Sequence, residues 1–445
     1  MDKKEYLKIL TEQVRYKKAL PMIEKELEDH MEDQKKDFLA SGMTEKEAET
    51  AAVMEMGDPV TVGVEMDRIH RPKMAWGLIL LTGALYLAGM ILRYLLYNRS
   101  GLGIYIANSW VYYVLAFVVM IGVCYVDYSR IGEKARELTV GLFLILMAGL
   151  WFSGTVVNGS AGWINVGGMM ILNVRVLVYL FLPLYGAILY RYRGQGYEVI
   201  WKAVAWMLPA VVVVAYANNI MLSLLLCVFS MIIFLYAVSC GWFHVKKKRV
   251  YFGTVSAVLL LPVLYAGMVW NFGAAYQKER LQMLLPPYRA EISAVMEPLR
   301  SAAANSHMVG SSAQAMKGLE MYGDRDFLFT YVLSFCGILT AVLFVSFIAV
   351  LLFYLFKNTL HQRNQVGRVM GLGCTIVLAG RMIIYILGNL GLHPYGDGYC
   401  PFLSTGGSGA VVTGILLGLL FSIYRYQNVT IEPKVKKKVK KPAVQ

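Results

Sequence analysis

Charged side chains are scarce in most of this chain, and those few are its candidates for chemistry. Beyond residue 74 the sequence holds 30 basic and 12 acidic residues. A carboxylate can serve as a general base, since it accepts a proton from a reacting hydroxyl. An arginine deep in an apolar stretch needs a partner or a wet cavity, and Arg381 is such a residue. An anionic lipid phosphate would suit it. Arg93 and Arg175 lie near the ends of their apolar stretches, where snorkelling toward water is the simpler explanation.

The composition indicates that these charges belong to a membrane protein. The 445 residues are 57% hydrophobic and 16% charged, with a mean hydropathy of +0.52, whereas soluble domains are about 25% charged. A soluble globular enzyme is therefore excluded. The net charge of +14 is typical of basic cytoplasmic loops, so no nucleic-acid partner is expected. The six cysteines form no C-x-x-C pair, which indicates neither a disulfide framework nor a zinc site.

Residues 1–74 differ from the rest and are predicted to form a small cytoplasmic helical module. They carry 13 basic and 17 acidic residues. An apolar stripe at helical spacing runs through Glu5–Phe38, and Pro21 should kink or split that helix. Thr44 and Glu47 form a capping box for the next helix. Gly57-Asp58-Pro59 should stop that helix and cap a short last one, which ends at His70-Arg71-Pro72.

Residues 75–426 are predicted to form an all-α polytopic membrane domain, followed by a basic cytoplasmic tail at 427–445. Apolar runs long enough to cross a bilayer core of about 30 Å recur ten times. They lie at 75–97, 105–126, 138–157, 171–190, 199–216, 219–243, 251–271, 327–356, 367–390 and 408–425. Basic residues cluster in alternate loops, which predicts that both termini are cytoplasmic. No carboxylate falls inside a predicted span, which argues against a proton-coupled transporter.

One predicted outer loop, residues 272–326, is far longer than the others, and long loops are commonly functional. It holds six of the seven carboxylates that this topology places outside the membrane. The seven are Glu279, Glu291, Glu297, Glu320, Asp324, Asp326 and Asp397. These seven carboxylates are therefore the candidates for a general base outside the membrane.

Four motifs resemble those of the SEDS proteins, the family of FtsW, RodA and SpoVE. Gly391-Leu392-His393-Pro394 with the run from Pro401 to Gly409 is similar to the family's GLxP…PFxSYGGSS. The stretch that starts at Arg280 resembles RLxxFLxP, that from Asp326 resembles TDFIF, and that from Trp163 resembles RWIxLG. The resemblance covers about residues 75–425. Residues 57–72 also resemble the permease prefix domain found on membrane proteins of Firmicutes.

The resemblance implies a peptidoglycan glycosyltransferase that polymerises lipid II outside the cytoplasmic membrane, in division, elongation or sporulation, with a class B penicillin-binding protein as partner. It implies a multi-pass bacterial protein and, through the prefix, a Gram-positive source. By motif position Asp326 would be the base and Arg280 would contact diphosphate. The other residues implied to bind substrate are Arg381, Trp163, Pro401, Ser404, Gly406, Gly407 and Ser408. No organic cofactor is implied, although a divalent cation would stabilise the departing diphosphate as cationic side chains do.

Simpler roles remain open for several of these residues. Asp326 could cap the eighth span, which does not exclude catalysis. Arg280 could be an interfacial anchor, and Ser404 with its glycines could only form a turn.

The chain also departs from the family pattern. Leu172–Arg175 stands for QPSE, Leu333–Phe335 for GEE, Arg381 for a glutamine and Thr405 for a tyrosine. Two other functions therefore stay open: an inactive scaffold or regulator that binds the penicillin-binding protein or lipid II, and a flippase for lipid-linked precursors.

Overall fold

The computed structural model describes residues 1–100, 109–157, 160–166, 169–217, 220–273, 278, 281–282, 290–317, 319, 327–392, 399–404 and 406–427. These segments are helical apart from turns and one small antiparallel sheet. One hydrophobic core runs through the apolar helices, and a smaller one lies within the first 56 residues.

The N-terminal module contains the four helices α1 (Lys3–Glu12), α2 (Leu20–Ala40), α3 (Glu45–Glu55) and α4 (Pro59–His70). The apolar stripe buries Leu10, Ile23 and Leu27 in the small core. The expected split occurs just before Pro21, which lies in the first turn of α2. Proline suits that position, since its missing amide would have no partner there.

Both predicted caps are present in the module. The Thr44 amide and hydroxyl donate to Glu47 Oε2 at 3.1 and 2.6 Å. Asp58 Oδ2 accepts from the Thr61 amide at 2.9 Å and from its hydroxyl at 2.8 Å. These bonds satisfy amides that a helix start leaves free.

A charged pair ties the connection between α1 and α2 to α4. Arg15 donates from Nε and Nη2 to Asp67 Oδ2 at 3.1 and 2.7 Å, and its amide donates to Oδ1 at 3.0 Å. Asp67 is only 5% exposed. The hydrogen bonds from Arg15 hold the pKa of the Asp67 carboxyl below its ordinary 3.8, so the pair is ionised at neutral pH.

The remaining helices form the membrane part, and the described residues include eight helices long and apolar enough to span a bilayer. Two shorter apolar helices, Trp110–Tyr125 and Val174–Tyr190, lie where the second and fourth spans are predicted. The all-α polytopic membrane fold is thus confirmed, while the count of ten and the orientation stay predictions. In chain order the helices are α5 (Trp76–Ser100), α6 (Ser109–Tyr125), α7 (Tyr128–Glu133), α8 (Ala135–Ser153), α9 (Val174–Leu177), α10 (Phe181–Tyr190), α11 (Glu198–Tyr216), α12 (Ile220–Ser239), α13 (Lys247–Phe272), α14 (Ala290–Ala304), α15 (Ala313–Met316), α16 (Leu328–Cys336), α17 (Ile338–Leu360), α18 (Gln365–Asn389) and α19 (Gly407–Arg425).

The sequence did not predict the small sheet that follows α8. The predicted third span, 138–157, ends at Ser153, and strands β1 (Gly154–Val157), β2 (Ser160–Val166) and β3 (Met169–Asn173) follow in antiparallel order. β3 also takes the start of the predicted fourth span, 171–190. A short apolar run fits a strand as well as a helix, which explains the error.

The predicted eighth span, 327–356, is two helices rather than one. α16 and α17 are separated by Gly337, whose φ is +92°. A Cβ at Gly337 would lie 2.8 Å from the Met308 carbonyl oxygen, because residues 307–312 pack against this break. The Ser312 amide donates to the Ser334 carbonyl at 2.9 Å, and the Ile338 amide donates to the His307 carbonyl at 3.0 Å.

Helices α6 and α19 pack together along their length through glycines. A Cβ at Gly414 would collide with the Ala116 carbonyl oxygen, and one at Gly418 would meet the Met120 carbonyl oxygen at 2.5 Å. Small residues allow such close approach of helices in membranes. Beyond the C-terminal end of α19, the Tyr426 hydroxyl donates to the Tyr125 carbonyl at 3.1 Å.

Any side chain at position 337 should destabilise the turn between α16 and α17. We expect Gly337→Ala to destabilise the protein by about 1–3 kcal/mol, because alanine is strained at this φ and its methyl group would meet backbone. Gly141→Ala in α8 is the control, since a Cβ there meets nothing within 4 Å. Thermal unfolding of the purified proteins checks this, and equal midpoints for both variants would contradict it.

The Arg15–Asp67 pair should hold the module together. In Asp67→Asn the Arg15 guanidinium loses its anionic acceptor, so amides of α1 and α4 should exchange with deuterium faster. Because the folded pKa is lowered, the contribution of the carboxylate is present above the unfolded pKa and is lost as pH falls through the folded value. Hydrogen exchange of the full chain at neutral pH measures the change. Glu65→Gln, an exposed change on the same helix, should leave exchange unaltered.

Candidate active site

Arg381 lies in the middle of α18 and is enclosed by tyrosine rings. Its side chain is 2% exposed. Its guanidinium carbon is 5.0 Å from the ring centroid of Tyr179 and 4.8 Å from that of Tyr399. Aromatic faces attract a cation without neutralising it. The arrangement therefore carries positive charge into the apolar interior next to residues 399–404.

Residues 399–404 form a buried turn that Ser404 stabilises. The Ser404 hydroxyl accepts from the Cys400 amide at 2.6 Å, and the Ser404 carbonyl accepts from the Tyr113 hydroxyl at 3.0 Å. Ser404 is 1% exposed, and Pro401 is also buried. The turn is thus fixed on α6, and the Ser404 hydroxyl is engaged within it.

The backbone of this turn lies directly against α5. Phe402 has a φ of +70°, in the left-handed region that non-glycine residues rarely adopt. Its ring centroid is 4.8 Å from that of Tyr86. A Cβ at Gly89 would collide with the Phe402 carbonyl oxygen. Only glycine at position 89 lets α5 approach the strained turn this closely.

The start of α19 is packed as closely against its neighbours. A Cβ at Gly407 would lie 2.8 Å from the ring of Tyr112, and one at Gly409 would collide with the ring of Tyr399. The Ser408 hydroxyl accepts from the Asn173 amide at 3.0 Å. Gly406 is the residue that precedes the helix. The glycines and serine of the motif therefore join α19 to Tyr399 and to the end of β3.

Trp163 and Arg175 lie together at the sheet. Trp163 is half-buried on β2 and pairs with Thr155 and Asn173. A Cβ at Gly162 would lie 2.7 Å from Arg175 Nε, so the guanidinium lies beside the tryptophan strand. The structure thus brings Trp163, Arg175 and Ser408 to one region, because Asn173 contacts both the sheet and α19.

Arg93 does not snorkel to water as expected. Its side chain is 2% exposed, and its guanidinium carbon lies 5.6 Å from the ring centroid of Tyr113. Tyr113 is the residue that donates to the Ser404 carbonyl. A second buried arginine therefore lies close to the turn at 399–404.

The ends of α16 and α18 are joined by a polar network. The Thr330 amide donates to Asn389 Oδ1 at 3.1 Å, and the Thr330 hydroxyl donates to the Asn389 carbonyl at 2.6 Å. The Phe329 amide donates to the Tyr385 hydroxyl at 3.2 Å. These are first-turn amides of α16, whose N-cap position is Phe327. They are bonded to α18.

Two residues named from the motifs, Asp326 and Arg280, lie outside the described residues, as do 393–398 and Thr405. Their roles stay predictions. Helix α14 of the outer loop is described from Ala290, and its Arg300 donates from Nε to the Gly391 carbonyl at 2.7 Å. Across the described ranges, no group of three His, Cys, Asp or Glu residues could hold a metal ion.

Comparison with known proteins identifies the family. Residues 72–429 match the family described as "Cell cycle protein", FtsW/RodA/SpoVE. The chain belongs to this family. This confirms the resemblance seen in the motifs.

Curated relatives of this SEDS protein are distant. A putative peptidoglycan glycosyltransferase FtsW from Mesostigma viride is 24% identical over 61% of this chain and 63% of its own length. A probable peptidoglycan glycosyltransferase FtsW from Enterococcus hirae is 24% identical over 76% of this chain and 90% of its own. A third, from Alcanivorax borkumensis, is 25% identical over 74% of this chain and 82% of its own length.

Solved structures share the SEDS fold. A chain from a study titled "Structural coordination of polymerization and crosslinking by a peptidoglycan synthase complex" superposes with a TM-score of 0.65 at 20% identity, covering 80% of this chain and 99% of that one. The rod shape determining protein RodA of Thermus thermophilus gives a TM-score of 0.56 at 18% identity, covering 80% and 97%. The likeness confirms the fold.

Sequence reasoning found Arg381 but missed its surroundings. Tyr179, Tyr399 and Asn389 have no motif or spacing that links them to position 381 or to Thr330. A tyrosine in an apolar run is typical of an ordinary core residue. Only the folded chain shows which rings meet the guanidinium.

Because Gly89 is in close contact with the Phe402 carbonyl, adding one methyl group at position 89 should displace the turn 399–404. We expect Gly89→Ala to push residues 399–404 away from α5 and to expose the thiol of Cys400, which is 3% exposed. Alkylation followed by mass spectrometry measures this, with exposed Cys240 and buried Cys374 as references. Gly77→Ala on the same helix, where a Cβ meets nothing within 4 Å, should leave Cys400 protected. An unreactive Cys400 in Gly89→Ala would contradict the expectation.

Proposed function

We propose that this chain is a peptidoglycan glycosyltransferase that polymerises lipid II at the outer face of the cytoplasmic membrane. The observation that carries the proposal is the guanidinium of Arg381, held between Tyr179 and Tyr399 beside the turn 399–404. A guanidinium forms strong, charge-assisted hydrogen bonds to phosphate, so this side chain suits a lipid-linked diphosphate. The printed names of the FtsW relatives support the activity.

The reaction joins two lipid-linked disaccharides. The 4-hydroxyl of one attacks C1 of the other, a base takes the hydroxyl proton, and undecaprenyl diphosphate leaves with the electron pair of the broken bond. In the proposal Asp326 is the base. Occupation of the α16 amides by Tyr385 and Asn389 favours this role over simple capping, because the carboxylate is not needed there.

The departing diphosphate needs cationic stabilisation. We assign that role to Arg280 and Arg381, with a divalent cation as a further possible source of charge. Trp163, Pro401, Ser404, Gly406, Gly407 and Ser408 would shape the cavity through the contacts described above. The partner in the proposal is a class B penicillin-binding protein, in keeping with the synthase complex named for the structural neighbour. A Gram-positive source rests on the prefix-like residues 57–72.

Asp326→Asn should abolish polymer growth, since loss of a general base costs about 10²–10⁴ in rate. Lipid II polymerisation by the full-length protein with candidate class B partners, read on a gel, measures it. Asp324→Asn, two residues earlier, is the matched control and should retain activity. Unchanged polymer in Asp326→Asn would remove the catalytic assignment. No polymer from the wild type with any partner would favour the scaffold.

Arg381→Gln, which installs the residue usual in the family, should weaken inhibition by undecaprenyl diphosphate about tenfold, because a hydrogen bond to a charged group contributes about 1.5–3 kcal/mol. Inhibition curves of polymerisation measure the change. Lys317→Gln, an exposed basic residue of the outer loop, is the control. Equal inhibition of Arg381→Gln and wild type would assign Arg381 to structure alone.

A further inference from the structure

A groove lies between α11 and α13, away from the candidate active site. Its volume is about 330 Å³. Its lining includes Met231 and Phe234 of α12 and Tyr185 of α10. The walls come from α11 (Ile200, Ala203, Val204, Met207) and from α13 (Val250, Gly253, Thr254, Ala257), with Tyr197 and Arg249 at one end.

The groove belongs to the lipid-facing side of the bundle. The neighbouring face of α13 is apolar and open, with Phe252 77% exposed and Leu259 65% exposed. At Gly253 an added Cβ would meet nothing within 4 Å. The groove is therefore a recess in the lipid-facing surface of the protein, and no side chain of the described residues fills it.

Basic residues stand at the predicted cytoplasmic end of the groove. Lys246, Lys247, Lys248 and Arg249 are consecutive and exposed. The Tyr197 hydroxyl accepts from the Lys246 amide at 3.1 Å, which fixes the rim. Glu198, the acidic residue beside Tyr197, is paired with Lys202 at 2.9 Å. Within the described ranges Arg249 forms no ion pair, so this end of the groove keeps its positive charge.

The length of the groove matches one lipid leaflet. Arg249 and Ala257 are eight residues apart on α13, which is about 12 Å at 1.5 Å per residue. Half of a hydrocarbon core of about 30 Å is about 15 Å. A chain that starts at the cationic rim and ends near Ala257 therefore stays within the inner leaflet.

We propose that this groove binds one anionic phospholipid of the cytoplasmic leaflet, with its phosphate at Arg249 and Lys248 and one acyl chain along Gly253. The cationic rim suits a phosphate, and the apolar walls suit a hydrocarbon chain. The site is independent of the proposed polymerase activity.

Photo-crosslinking tests the site. The full-length protein is placed in phosphatidylcholine vesicles that contain a trace of phosphatidylglycerol with a diazirine on one acyl chain, and crosslinked peptides are mapped by mass spectrometry. We expect labelling of Met207 and of residues 253–257, competed by unlabelled phosphatidylglycerol but about tenfold less by phosphatidylcholine. Gly253→Leu, which fills the recess, should lower this labelling about tenfold. Arg249→Gln should remove the preference for phosphatidylglycerol and keep labelling of the walls.

Gly267→Leu is the matched control, since it lies on the same helix and a Cβ there also meets nothing within 4 Å. It should label as the wild type does. Equal labelling of Gly253→Leu and Gly267→Leu would overturn the proposal. So would labelling spread evenly over Leu259, Val263 and Leu264, which would indicate ordinary boundary lipid. Loss of a co-purified partner protein in Gly253→Leu, with lipid labelling unchanged, would assign the groove to a helix instead.

Discussion

The close packing of α19 on α6 is the contact on which the candidate active site depends. Glycines at 414 and 418 bring the two backbones together, and Gly407 places the start of α19 against Tyr112. Because lipid tails are as apolar as the helices, the hydrophobic effect does not drive helices together in a bilayer, and close contact relies on van der Waals packing. The turn 399–404 precedes this helix, and its Ser404 carbonyl is bonded to Tyr113 of α6. The same helix pair therefore positions the turn, Ser408 and the ring of Tyr399.

The arginines buried near this turn are packed against tyrosine rings. Tyrosine rings stabilise a buried guanidinium through their negatively charged faces. Arg381 and Arg93 both lie against such rings. The family glutamine at position 381 would supply hydrogen bonds without charge. This chain has a cationic side chain there instead.

Local signals predicted more of the fold than long-range contacts did. The caps at Thr44 and Asp58 were predictable, because capping involves residues three apart and needs no other part of the chain. The sheet at 154–173 was not, since its apolar residues suit either structure, and pairing depends on register. Gly337 carries no signal of a break by itself, because its left-handed φ is required by the approach of residues 307–312. In the same way Arg381 stood out as a charge in an apolar run, but Tyr179 and Tyr399 could be assigned only from the fold.

The N-terminal module contacts the membrane helices near the end of α19. Tyr16 packs against both hydrophobic cores, and its ring centroid is 6.0 Å from that of Tyr426. The Lys73 amide donates to the Arg425 carbonyl at 3.1 Å, so the chain leaving the module also meets the end of α19. Burial first, and then Asp127, raise the pKa of Tyr16 to about 12. The phenol is neutral at physiological pH, as an unperturbed tyrosine also is. Because α19 begins at the candidate site and ends at this contact, one glycine-packed helix connects the module with the turn that holds Tyr399.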